Sequence, residues 1–144
     1  MLRRAPLPAL MLLPALVLGC GGEPRGDVEG TVTYDGQPVE TGMVSFECAD
    51  ATRAPRNIPV RNGSYEASGP SALAPGTYRV GISAGDPAAM DRGAPGDQHT
   101  RVEYVPLLPP SWNTQSELSV DVRPGSNTFH FRGDRGEAPR VEVP

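Results

Sequence analysis

Residues 28–50 read VEGTVTYDGQPVETGMVSFECAD. In the first part Val28, Val32 and Tyr34 fall on one side with Gly30 between them, and Glu29, Thr31 and Thr33 fall on the other. In the last part Val44, Phe46 and Cys48 oppose Ser45 and Glu47. A period of two with one apolar side is the pattern of a half-buried β-strand. Asp35-Gly36 between them is a turn pair, because both residue types tolerate positive φ.

The same period continues downstream. NIPVRNGSYEAS, residues 57–68, predicts a hairpin turning at Asn62-Gly63, and Pro59 predicts that its first arm is an edge strand or irregular. GTYRVGISA, residues 76–84, places Tyr78, Val80, Ile82 and Ala84 inward. In SELSVDVRPGSNTFHF, residues 116–131, Leu118, Val120 and Val122 share a side, and a Pro124-Gly125 turn leads to Phe129 and Phe131. Past the first twenty residues no apolar stretch has helical spacing, and 17 glycines with 17 prolines favour turns. The expectation is an all-β chain: one antiparallel β-sandwich of about seven strands over residues 27–131. Residues 85–100, mostly DPAAMDRGAPGDQHT, read as a long mobile loop, and 132–144 as a polar C-terminal tail in which Val141 and Val143 offer a last short strand.

The chain begins Met-Leu-Arg-Arg, and residues 5–19 carry no charge. Fifteen residues with Pro6, Pro8 and Pro14 are too short and too broken for a membrane-spanning helix, which needs about 20. A basic start and a short apolar run make a secretory signal, set aside from the fold. Val17-Leu18-Gly19-Cys20 resembles the lipobox of bacterial lipoproteins, although leucine stands before Gly19 where a smaller residue is commoner. That resemblance implies a signal peptide over 1–19, cleavage at Gly19-Cys20 and acylation of the Cys20 thiol, with residues 20–26 as a flexible tether. Gly21 lacks the aspartate that favours inner-membrane retention in such proteins, so the expected place is the cell envelope, leaning to the outer membrane.

The domain itself resembles carboxypeptidase regulatory-like and transthyretin-like domains, a broad β-sandwich group. The residues that carry the likeness are Gly30, Val32, Asp35, Gly36, Pro38, Val39 and Phe46 at the start, then Pro75, Gly76, Tyr78 and Val80. A third set is like small bacterial lipoproteins of this type: Pro109, Pro110, Trp112, Asn113, Ser116, Leu118, Val120, Val122, Pro124, Gly125, Asn127, Phe129 and Phe131, with tryptophan where tyrosine is expected. The group is commonly accessory, serving as structural, adhesion-like or regulatory modules.

Chemistry is sparse. All 13 basic residues are arginine, so no lysine is there to grip phosphate, form a Schiff base or activate a serine. Losing Arg3 and Arg4 leaves 11 arginines against 17 acids, a formal charge of −6 with no basic stripe, which argues against nucleic acid. No serine-nucleophile elbow, HExxH or CxxC occurs. His130 alternates with Phe129 and Phe131 and so should face outward; His99 stands 31 residues away in the long loop. Asp86, Asp91 and Asp97 share that loop without calcium-loop spacing. Cys48 shares a face with Val44 and Phe46 and is expected as a buried free thiol. No catalytic, cofactor-binding or metal-binding residue is expected.

The function expected from these residues is that of a non-enzymatic, lipid-anchored envelope lipoprotein with a structural or interaction role. Its partners would be membrane lipid through acylated Cys20 and an envelope protein or polysaccharide. Trp112 more often closes one end of a core; the alternative is a secreted module that binds a small ligand or carbohydrate on it, and an enzyme is the third reading. Exposure of Trp112 separates the first two, and a cleft with converging ionisable groups marks the third.

Overall fold

The computed structural model describes residues 21–86 and 105–144. The signal segment, Cys20, residues 87–100 of the predicted loop, and with them Asp91, Asp97 and His99, lie outside the described residues.

The described chain is all-β, with two one-turn 3₁₀ segments, Gly69–Ser71 and Pro110–Trp112. Its strands are β1 Gly26–Tyr34, β2 Gln37–Pro38, β3 Thr41–Cys48, β4 Arg56–Arg61, β5 Ser64–Ala67, β6 Gly76–Ser83, β7 Ser119–Val122, β8 Gly125–Thr128, β9 His130–Gly133 and β10 Arg140–Glu142. Seven match the alternating stretches; β2, β8 and β10, two to four residues each, are additional. The polar tail therefore contributes to the sheet, with Val141 opposite Phe131.

The predicted Asp35-Gly36 and Asn62-Gly63 turns form as their residues allow. Asp35 and Gly36 have φ of 53° and 76°, and Asn62 and Gly63 have 50° and 76°. Those values suit two-residue hairpins whose twist matches the strands. β4, however, is an interior strand between β3 and β5. Asn62 N donates to Glu40 O on the β3 side at 2.8 Å. Alternation puts the proline nitrogen, three residues back, on the β5 side. There the β4–β5 ladder is limited to Arg61 opposite Ser64, whereas the β3–β4 ladder runs for six pairs. Pro59 shortens one ladder instead of ending the sheet, because only one side of a strand needs its N–H.

Instead of two separate antiparallel layers there is one mixed sheet, ordered β10-β9-β1-β5-β4-β3-β6-β7 and curled into a half-barrel. The mixed character comes from β1. Its first half pairs in parallel with β8, Gly26 opposite Gly125, and its second half pairs in parallel with β9, Val32 opposite Phe131. Between them the chain steps inward at Phe129. Phe129 N still donates to Glu29 O at 2.9 Å, but its carbonyl turns to the interior and accepts the Tyr65 hydroxyl at 2.7 Å. A Cβ on Gly30 would lie 1.8 Å from that oxygen. Glycine in the middle of β1 is thus what lets β8 and β9 share one edge.

The inward residues of β1, β3, β4, β5, β6, β7 and β9 meet in one core. Phe46 lies between Tyr65 and Tyr78, ring centroids 6.2 Å from each, and Tyr65 stacks on Phe131 at 5.8 Å. Trp112, fully buried, closes one end edge-on to Tyr34 at 5.6 Å.

Candidate functional site

Upstream of the sheet, residues 21–25 are exposed and end at a pinned point. Gly26 N donates to Leu73 O at 2.8 Å and Leu73 N donates back to Gly26 O at 2.9 Å. A side chain at Gly26 would collide with Val122 Cγ1 at 2.4 Å and Arg123 O at 2.5 Å. The stretch leading back to Cys20 therefore leaves the fold from a fixed place, beside the β3–β4 loop and the Gly69–Ser71 turn. At the same end Asn127 fixes the β7–β8 turn: its Oδ1 accepts Arg123 N at 2.9 Å and its Nδ2 donates to Arg123 O at 2.8 Å and Asp27 O at 3.0 Å. The Pro124-Gly125-x-Asn127 motif is turn chemistry.

Trp112, for which the sequence favours closing one end of the core over stacking on a ligand, lies wholly inside the core. Gly133 packs so closely on it that a Cβ there would sit 2.8 Å from its Cζ2. The prolines before it start a 3₁₀ turn that drives the ring inward, so it offers no face to a ligand. Its Nε1 is the one buried side-chain nitrogen or oxygen without a hydrogen-bond partner among the described residues. Ser116, four residues on, is also buried and structural, donating to Val80 O at 2.5 Å and accepting Leu118 N at 3.2 Å.

His130 lies on the outer face, and its Nδ1 is 3.0 Å from the Thr31 hydroxyl across the parallel β1–β9 edge. A shallow groove of about 630 Å³ runs past this pair, lined also by Glu29, Arg61, Ser64 and Glu66. Sequence reading missed this groove, because it arises from strand neighbours far apart in the chain: Ser64 lies opposite Thr31, and Glu66 opposite Glu29. Tyr65 forms its floor. Burial, with a smaller push from the Glu29 charge, holds the Tyr65 phenol well above the ordinary tyrosine range. A neutral phenol that already donates to Phe129 O is a structural group, not a general acid in waiting.

Cys48 ends β3 only half-buried, because the chain turns away from the core there. Its thiol donates to Asp50 Oδ1 at 2.9 Å, and the same oxygen accepts Thr52 N at 3.0 Å and Thr52 Oγ1 at 2.6 Å. These bonds, the thiol's first and then those of Thr52, lower the Asp50 carboxyl to about 2. Asp86 N donates to Val105 O at 2.8 Å, where both ends of the long connection leave the sheet. Among the described residues no three His, Cys, Asp or Glu side chains converge to hold a metal. The chain matches no family model, no curated protein and no solved structure.

Proposed function

We propose that this chain is a lipid-anchored, non-enzymatic lipoprotein of the cell envelope, held to a membrane by acyl chains on Cys20. Its β-domain acts as a structural or interaction module, with an envelope protein or polysaccharide as its further partner. The observation that carries the reading is the Leu18-Gly19-Cys20 junction placed six residues before the pinned Gly26, with an exposed lead between them. Six residues reach about 20 Å when extended, so the domain sits on the surface that holds the anchor. Two or more acyl chains give stable residence, where one is marginal.

Kinship with the carboxypeptidase regulatory-like and transthyretin-like sandwiches is part of this proposal. It is supported by the β1–turn–β2–β3 opening, built from Gly30, Asp35, Gly36 and Phe46. The outer membrane is the favoured side, on Gly21 after the acylated cysteine. The buried Trp112 favours an interaction role over the small-ligand alternative. Among the described residues the candidate pair for catalysis is Thr31–His130, and it lies beside an open groove.

Intact mass and membrane fractionation of the wild type beside Cys20→Ser test the anchor. The expected result is a wild type in the membrane fraction with acyl mass on a new N-terminus at residue 20, and a variant that is unlipidated and keeps residues 1–19. A soluble wild type with a free thiol at residue 20, or one cleaved elsewhere, overturns the reading.

A further inference from the structure

At the end of the domain from which the lead departs, three arginines gather. Arg25 Nη1 lies 3.4 Å from both Pro70 O and Ala72 O, and Arg56 Nη2 lies 3.4 Å from the same Pro70 O. Both guanidinium nitrogens sit 3.4 Å from one oxygen, so they are no more than 6.8 Å apart. With Arg53 they line a groove of about 250 Å³ between the lead and the β3–β4 loop, its base formed by Leu73 and Tyr78. None of the three is in an ion pair among the described residues, whereas Arg79, Arg132, Arg135 and Arg140 all are. The nearby acids are otherwise placed. Asp50 is held by Cys48 and Thr52 and feels Arg53 least of its neighbours, Asp27 accepts Gly69 N at 3.2 Å, and Glu23 lines the groove without pairing.

Three guanidinium groups against the single unpaired carboxylate of Glu23 leave the groove net positive, which fits an anion, and planar guanidinium forks match phosphate oxygens in particular. The position identifies the source. Arg25 is five residues from Cys20, so an anchored domain holds this groove within reach of lipid headgroups. We propose that Arg25, Arg53 and Arg56 form a docking site for anionic phospholipid headgroups, which seats the domain on its membrane in one orientation. This rests on the lipid-anchored reading. The chain from Cys20 onward carries a net −6, so without such a site an anionic surface would repel it. With it, the basic end faces the lipid and the acidic remainder faces away.

The test is made on the purified full chain in vesicles of phosphatidylcholine alone or with phosphatidylglycerol, after its acyl mass has been measured. Once Cys20 is acylated, Cys48 is the sole thiol, at the end of β3 where the loop that carries Arg53 begins. Maleimide labelling of Cys48 is expected to slow several-fold in the anionic vesicles. High salt should restore it, and Arg53→Gln with Arg56→Gln should abolish the difference. Arg53 makes no hydrogen bond among the described residues, so Arg53→Gln alone keeps the fold and should lose part of the effect, while Arg53→Lys keeps most of it. If labelling is equally fast in both lipids, or the double variant still slows, the proposal fails. If the mass shows no acylation, the anchor reading has failed on its own. The groove is then tested by co-sedimenting the processed protein with the same vesicles: anionic binding that falls about five-fold per arginine removed supports it, and no binding overturns it.

Discussion

One oxygen of Asp50 collects three hydrogen bonds, from a thiol, an amide and a hydroxyl, on a carboxylate open to water. The ionised form is the one these donors favour, so its folded value drops from 3.8 to about 2. A depressed carboxyl contributes stability that is fully present above the unfolded value and is lost as the pH falls through the folded one. Asp50→Asn should therefore flatten the decline in stability between about pH 4 and 2 while leaving the neutral-pH fold in place, as read by urea unfolding at stepped pH. Trp112 gives a second readout on a single residue. It is the sole tryptophan and is fully buried, so its emission should be blue-shifted and shielded from acrylamide until the domain unfolds. Red-shifted, readily quenched emission in the native protein would reopen the ligand-binding alternative. The sequence favoured a plug at one end of the core but left a ligand-stacking ring open; the close packing that fixes the ring inward comes from Gly133, twenty-one residues later.

At the level of strands, alternation told most of the story. Val28, Val32, Val44, Phe46, Tyr78, Val80 and Ile82 are all in the core, as a period of two requires of half-buried strands. Turn chemistry was equally readable at Asp35-Gly36 and Asn62-Gly63. Pairing direction was not, because a strand's own residues do not say whether its neighbour runs with it or against it. Gly30 marks the place where that matters most. Gly30→Ala would force a methyl group to 1.8 Å from Phe129 O and 3.0 Å from Tyr65 Oη. The variant must open the β1–β8–β9 junction or lose the buried hydroxyl–carbonyl bond. Leaving such a buried group unpaired costs about 1–3 kcal/mol before any clash is counted. Chemical denaturation should show a loss at least that large, and a variant as stable as wild type would mean the junction is looser than described. Gly36→Ala, whose Cβ meets nothing within 4 Å, is the control for positive φ alone, at a cost of about 1 kcal/mol.

For the molecule as a whole, the first strand is enclosed by the last ones. β1 takes β5 on one side and β8 then β9 on the other, and β10 extends the sheet beyond β9. The candidate surfaces follow from this closure. The Thr31–His130 groove needs β9 beside β1, and the arginine groove needs the lead, the β3–β4 loop and the Gly69–Ser71 turn at one end. Neither was legible in the linear sequence, since Thr31 and His130 are 99 positions apart and Arg25 meets Arg53, 28 positions on, first in the folded sheet. A chain ending at residue 128 keeps most of the alternating stretches but loses Phe129 and Phe131 from the core. It should lack a cooperative unfolding transition, with each missing aromatic side chain costing about 3–5 kcal/mol. A chain ending at residue 134 loses only β10 and should retain a transition at lower denaturant. Circular dichroism against urea distinguishes the two.

The parallel seam also sets a schedule. Gly26 registers with Gly125 and Tyr34 with Gly133, partners separated by about a hundred residues, while β3, β4, β5 and β6 find one another over short distances. During synthesis the earliest strand emerges with one flank unclaimed, and nothing satisfies that flank until the closing stretch has left the ribosome. Contacts of such long sequence separation are the slow ones to form, because loop closure must precede any reward. The fold thus withholds its locking step until residues 125–133 are available, and β1 remains pliable on that flank until they arrive.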